Sequence, residues 1–329
     1  MIKNYLTTAF RNFVQHKTFT LLNILGLAIG IASSLLILQY VKYERSFDTM
    51  HTKAEDIYRI QYNNWSNGSI NFECAAAVPA VGPEMKNNFP EIKQFTRLYP
   101  VSGVITYDDP VRGPISFREQ DMQITDTAVF EIFDFKLLKG DPVSSLRGPN
   151  KVVISQHAAE KYFGDEDPIG KRIDWDGERQ FEVTGLMADI PDNSHIKFDF
   201  FFSYQTLNEN TDNASETSWG WYDFNTYVLL EKGTDPIALQ SKWDDHLAEV
   251  RRESWDKYNY KQAFILQPLL DIHLQSSLLQ ESQPEEQGDS DAVYFLTFIA
   301  FFILVIAWVN YINLSTAKSF ERANDAFEK

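Results

Sequence analysis

Two long stretches without a charged side chain constrain this sequence more than anything else in it. Thr18–Val41 covers 24 residues and Ala292–Ala317 covers 26. A helix rises about 1.5 Å per residue, so either stretch is long enough to cross the roughly 30 Å apolar core of a bilayer. Between Phe295 and Trp308 nearly every side chain is large and apolar. A buried helix of a soluble protein rarely runs so far without charge, and both stretches read as transmembrane helices. The first is too long for the h-region of a cleaved signal peptide, which is about 7–15 residues. It also runs into Gln39-Tyr40-Val41-Lys42-Tyr43 rather than small residues. An uncleaved anchor is expected.

Charge sets the expected orientation. Residues 1–17 carry Lys3, Arg11 and Lys17 and no acid, and only three of the 46 acidic residues lie outside 42–291. The positive-inside rule places both termini in the cytoplasm and the middle outside, as in a multi-pass inner-membrane protein. The acidic middle argues against a nucleic-acid partner. Five segments follow: a cytoplasmic amphipathic helix at 1–17, a first membrane helix at 18–41, an outer domain at 42–291, a second membrane helix at 292–317 and a cytoplasmic tail at 318–329. The amphipathic helix rests on Ile2, Tyr5, Leu6, Ala9, Phe10, Phe13 and Val14 recurring at helical spacing, which suits a segment lying in the lipid interface. Gly26, Gly30 and Ser33 offer a small-residue face for contact with another membrane helix.

The outer domain alternates strand and helix signals. Ile57–Tyr62, Lys151–Ile154, Phe181–Thr184 and Asn225–Leu230 read as strands. Gln156–Tyr162 reads as a short helix stopped by Gly164. Pro236–Arg252 reads as a longer helix with Ile237, Leu239, Trp243, Leu247 and Val250 on its apolar side. Residues 281–291 are polar and acidic and read as a solvated linker. The expected fold class is α+β, two transmembrane helices flanking a large mixed α/β domain outside the cytoplasm. With the single cysteine, Cys74, no internal disulfide is possible, so packing alone must hold the domain.

Catalytic and cofactor signals are sparse. Gly164–Arg172 has a glycine pair before Lys171, but five residues separate the glycines, Arg172 follows the lysine, and three acids sit inside. A phosphate-cradling loop needs four residues and a Ser or Thr, so this is a turn and no nucleotide site is expected on the chain. Asp189, Asp192, His195 and Asp199 cluster in sequence, yet Asp192-Asn193-Ser194 is ordinary turn chemistry. Asp271 and His273, two apart, would share a face on a strand and hydrogen-bond structurally. Ser155 lacks a nucleophile-elbow context. No enzymatic activity, metal or cofactor is expected.

The order of short motifs resembles a known family. Asn4-Tyr5-Leu6, Arg11-Asn12 and Asn23-Ile24-Leu25-Gly26-Leu27-Ala28-Ile29-Gly30 open the chain. Phe47-Asp48, His51, Ile57-Tyr58-Arg59-Ile60 and Phe89-Pro90-Glu91-Ile92 follow. Next come Ile132-Phe133-Asp134-Phe135, Leu138-Lys139-Gly140-Asp141-Pro142, Tyr162-Phe163-Gly164, Val183-Thr184-Gly185 and Asp189-Ile190-Pro191. Leu266-Gln267-Pro268-Leu269 precedes the second membrane helix, which closes on Asn310-Tyr311-Ile312-Asn313-Leu314-Ser315-Thr316-Ala317. This succession is similar to FtsX-like ABC transporter permeases with a MacB-like periplasmic core domain. The resemblance implies a mixed α/β periplasmic domain of two lobes, in a permease that pairs with a second permease copy or paralogue, sits in membrane lipid and binds a separate cytoplasmic ABC ATPase. ATP would be held by that ATPase. Nucleotide-driven movement of the membrane helices would reshape the outer domain to export or extract cargo, with Asn310, Asn313 and Arg322 near the coupling region. Such permeases have at least four membrane helices, and here Glu321, Asp325 and Glu328 stand among the basic residues after the second. The expectation is therefore a fragment or a truncated copy of a permease. A two-helix sensor or ligand-binding protein with a periplasmic domain is the competing reading.

Overall fold

The computed structural model describes residues 17–66, 68–282 and 286–327. The amphipathic segment expected at 2–14 lies outside them. The chain divides into two compact units, the long terminal helices with their flanks, and Ser46–Gly288. Five helices of eight residues or more are numbered here: α1 (Lys17–Glu44), α2 (Val81–Asn88), α3 (Gln156–Phe163), α4 (Pro236–Tyr258) and α5 (Ser290–Phe327).

In the helical unit α1 and α5 run antiparallel. Asn23, Leu27, Gly30, Ser34, Ile37, Val41 and Glu44 are among the less exposed positions of α1, a three–four spacing that makes one stripe. The Ser34 hydroxyl donates to the Ala300 carbonyl at 3.1 Å. A Cβ built on Gly30 would lie 3.2 Å from the Ala307 Cβ. Small residues on both sides let the backbones approach. Most other side chains are bare, Leu22 at 65% and Leu36 at 68% exposure among them. Helices so apolar and so little buried are built for lipid, not for a protein core. α5 continues past Ala317 as one helix to Phe327, so residues 318–327 extend it.

The outer unit is a mixed sheet of eleven strands: β1 (Ile57–Ser66), β2 (Ser69–Cys74), β3 (Ile92–Asp109), β4 (Gly113–Thr125), β5 (Leu137–Lys139), β6 (Lys151–Ser155), β7 (Arg172–Trp175), β8 (Arg179–Met187), β9 (Phe200–Ser203), β10 (Asn225–Leu230) and β11 (Tyr260–Pro268). The order is β11-β1-β10-β3-β4-β9-β6-β8-β5, with β2 on β1 and β7 between β3 and β8. Its two lobes are the halves of this one sheet. In the first, α2 and α4 cover β1, β10 and β11 through Met85, Trp243, Val228 and Phe264. In the second, α3 covers β6, β8 and β9 through Tyr162, Ile154, Phe181 and Phe200. The long strand β3 belongs to both, pairing β10 at Leu98 and β7 at Ile105.

Local chemistry explains the boundaries. The Ser155 hydroxyl accepts from Ala158 N at 3.0 Å to start α3, and Gly164, at φ 60°, ends it. Asp235 accepts from Ile237 N, Pro236 fills the first turn, and Asn259 in the left-handed region closes α4. The expected α4 stripe was too wide: Leu239, Trp243 and Leu247 are buried, but Ile237 is 80% and Val250 49% exposed. The Gly164–Arg172 loop is a turn whose Lys171 pairs with Glu166. Asp271 and His273 do not lie on a strand. A 3-10 turn (Leu269–Asp271) runs into a helical turn (Ile272–Gln275), where Asp271 accepts from the Gln275 amide at 3.0 Å.

Candidate functional site

The outer unit is joined in sequence to α1 through residues 46–51 and to α5 through 276–288. Each of these segments is locked to the sheet by a buried polar network.

The incoming segment turns at Asp48, which holds φ 58°, a conformation uncommon outside glycine and mostly adopted by Asn and Asp. Asp48 N donates to the Asn193 carbonyl at 2.9 Å, and the Asn193 amide donates back to Ser46 O and Oγ, both at 3.0 Å. Asp48 Oδ1 accepts from the Ser194 hydroxyl and from His195 N, both at 3.2 Å. Its Oδ2 lies 2.8 Å from His195 Nδ1, and His195 Nε2 lies 2.8 Å from the Tyr227 hydroxyl. Burial alone would raise the Asp48 carboxyl; the charge and hydrogen bonds of His195 outweigh it and hold the group below the usual carboxylate range. His51, one turn on, accepts from Asp134 N at 3.1 Å. Burial lowers its imidazole to about 4, against the pull of Asp48.

The outgoing segment is held by Arg59. Its guanidinium meets both Glu281 oxygens, at 2.5 and 2.9 Å, and donates to Gln267 Oε1 and to the Ser276 hydroxyl at 2.8 Å. The Arg59 side chain is wholly buried and that of Glu281 is 2% exposed. A buried ion pair is favourable only with such complete hydrogen bonding. Glu281 thus corrects the solvated-linker reading of 281–291. The incoming segment also touches the helical turn that precedes the outgoing one, for the Phe47 ring stacks on His273 with centroids 3.3 Å apart.

Both networks hang from one strand pair. Arg59 on β1 and Tyr227 on β10 are direct partners in the antiparallel ladder, so their side chains share a face. Burial raises the Tyr227 phenol, Arg59 opposes, and Glu281 and Asp48 add to the rise, so Tyr227 stays a neutral hydroxyl. Asp48, His195 and Tyr227 resemble an acid–base relay, but they are 0%, 5% and 0% exposed. A relay must reach a substrate proton; these groups are closed in among their own partners, and what the geometry displays is the attachment of the incoming segment to β10. Among the described residues no three His, Cys, Asp or Glu side chains converge as a metal cage requires.

The residues singled out from sequence lie in the helical unit. Gly30 faces Ala307, and a Cβ on Gly26 would come within 3.9 Å of the Asn310 amide. Ser33 is half-buried, whereas its neighbour Ser34 is fully buried and makes the interhelical hydrogen bond. Asn310 and Asn313 are exposed on α5; Arg322 is in the same helix, with its side chain outside the described residues. The latch residues Asp48, His195, Arg59 and Glu281 were not singled out together. A lone arginine inside an apolar strand was the available signal, since a buried guanidinium demands an acid from somewhere.

Comparison with known proteins places this geometry. Residues 20–245 match the family model of the MacB-like periplasmic core domain. Among solved structures, a crystallised domain of a Porphyromonas gingivalis protein described as a permease superposes with a TM-score of 0.55 at 20% identity, covering 66% of this chain and 91% of that one. The periplasmic region of MacB from Actinobacillus actinomycetemcomitans aligns at 16% identity and TM-score 0.43, over 66% of this chain and 90% of that one. The extracellular domain of the noncanonic ABC-type transporter YknZ from Gram-positive bacteria gives 17%, 0.39, 63% and 98%. No curated protein matches. The family model covers more than half of the chain and begins inside α1, and the chain belongs to the MacB-like periplasmic core domain family.

Proposed function

We propose that this chain is a permease subunit of a MacB/FtsX-type ABC transporter, whose outer domain is moved by its two membrane helices when a separate cytoplasmic ATPase hydrolyses ATP. The observation that carries this reading is the double attachment to Arg59 and Tyr227. A tethered domain would need only one firm anchor. Here the segments leading toward both helices are bolted, at Asp48 and at Glu281, to the paired residues Tyr227 and Arg59 of the sheet, so a change in one helix relative to the other would be passed toward β1 and β10. A second copy of the permease would supply the facing outer domain, and export or extraction of cargo is the work proposed.

The test is co-purification of the chain, in detergent, with a MacB/FtsX-type ABC ATPase from the same organism. Capture of the ATPase and a change in its ATP turnover on reconstitution are expected. An ATPase that neither co-purifies nor changes its turnover overturns the proposal and favours the two-helix sensor.

A further inference from the structure

In the second lobe a cleft of about 470 Å³ opens between β3, the β7–β8 hairpin and the short helix Tyr204–Asn210, within the size range of small-molecule sites. Its apolar lining is Tyr99, Val101, Ile124, Trp175, Phe181 and Leu207. Register explains why they meet. Tyr99 and Ile124 are partners on β3 and β4, and Trp175 and Arg179 are partners on β7 and β8, so each pair shares a face. Phe181, two residues after Arg179, points the same way. Ile124, Phe181 and Leu207 are buried and make the floor, while Tyr99, Val101 and Trp175 are half-buried and leave apolar surface bare.

The cleft is preformed. Gly103 of β3 leaves no room for a Cβ where the Trp175 indole lies. The other face of the lobe holds that indole too, for it rests on Phe202 with centroids 4.8 Å apart. The next residue, Asp176, takes φ 53° and pins the turn to β3: its N donates to the Val104 carbonyl at 2.9 Å, and its Oδ1 accepts from Val104 N at 2.7 Å. Held in this way, Trp175 cannot collapse into the space beside it.

One charge in the wall is unanswered. The half-buried Arg179 donates to the Thr206 carbonyl over a long 3.5 Å, and no carboxylate among the described residues lies within 4.0 Å of it. Asp176 and Glu178 also belong to the wall, but both are exposed on the turn, where water and salt screen them, and Asp176 is already engaged by Val104 N. A guanidinium beside apolar walls is screened far less, and such arginines are rarely left without a partner.

We propose that this cleft binds a small amphiphilic carboxylic acid, with its apolar body against Tyr99, Val101 and Trp175 and its carboxylate on Arg179. A carboxylate matches the planar fork of a guanidinium, and the bare apolar walls take the rest of the molecule out of water. The site does not rest on the transport reading and stands or falls by itself.

Calorimetric titration of the chain in nanodiscs, with empty nanodiscs as reference, tests it. The probe is 4-phenylbutyrate, and 4-phenylbutyramide keeps its body without the charge. One 4-phenylbutyrate per chain is expected, with the amide weaker by about tenfold or more. N-acetylphenylalanine offers the same chemistry with a peptide amide attached. Preference for it assigns a peptide C-terminus, preference for 4-phenylbutyrate assigns a free acid, and either result upholds the carboxylate site. Arg179→Gln removes the preference for acid over amide and leaves the amide affinity as it was, a selective loss that misfolding cannot imitate. No saturable binding of either acid above the nanodisc reference, an amide that binds as tightly as the acid, or a preference that survives Arg179→Gln overturns the proposal.

Discussion

Arg59 and Tyr227 stand opposite each other on β1 and β10, and each holds one end of the outer domain, Arg59 through Glu281 and Tyr227 through His195 and Asp48. The pairing makes neighbouring strands near the β11 edge of the sheet the place where the two connecting segments are fixed.

Removing one partner of the Arg59–Glu281 pair leaves a buried charge unanswered. Arg59→Met or Glu281→Met is expected to cost about 3–5 kcal/mol, whereas the double substitution falls close to the parent. Thermal melts of the four proteins in detergent give the coupling directly. Simple additivity of the two losses would show that the pair does not act as a unit.

The incoming segment carries a pH dependence of known sign. His51 is held at about 4 by burial, below its ordinary value. Between that value and about 6.5 the unfolded chain binds more protons than the folded one, so stability falls as pH falls through this window. The loss is on the order of 3 kcal/mol by pH 4. Asp48, held below the usual carboxylate range, stabilises above that range, and its contribution is lost as pH drops further. His51→Asn should flatten the upper part of the profile of melting temperature against pH. An unchanged slope between pH 4 and 6.5 would remove His51 as its source.

In the helical unit two glycines should behave differently. Gly30→Leu drives a branched side chain toward Ala307 Cβ, which already lies 3.2 Å from a Cβ built there, while the nearest atom at Gly26 is at 3.9 Å. Gly30→Leu should part the helices and abolish crosslinking between Ser34→Cys and Ala300→Cys, with Gly26→Ala leaving it intact. Undiminished crosslinking in the leucine variant would contradict this packing.

Residues 46–288 form a compact unit with their own apolar clusters, and a unit of that size can bury most of its apolar surface. Expressed alone they should melt cooperatively, with the buried Cys74 unpaired and no response to reductant or chelator. A fall in melting temperature with either reagent would reveal a constraint beyond packing.

What could be read in advance follows from the range of each interaction. The membrane helices announce themselves because lipid selects on composition alone, and β6, β8 and β10 show in short apolar runs because a strand face is a local pattern. The β3–β4 hairpin was not evident: Pro100 and Gly103 interrupt β3, and a bulge between Val101 and Gly103 breaks its alternation. The attachments were least legible, since Arg59 and Glu281 are 222 residues apart and Asp48 and His195 are 147 apart. Glu281 misled most, because an acidic, polar run reads as solvated whichever member turns inward.

The central claim is that helix movement reaches the sheet through these attachments, and pulsed electron resonance tests it most directly. The chain, labelled at Val143→Cys, a position 70% exposed, with Cys74→Ser, is placed in nanodiscs with the proposed ATPase. The distance between labels on the two copies of the proposed dimer is then compared in ATP and ADP. We expect the distribution to shift with nucleotide in the parent, and to stay fixed in the Arg59→Met, Glu281→Met double variant even though that protein is folded. A full nucleotide-dependent shift in the double variant would contradict the claim.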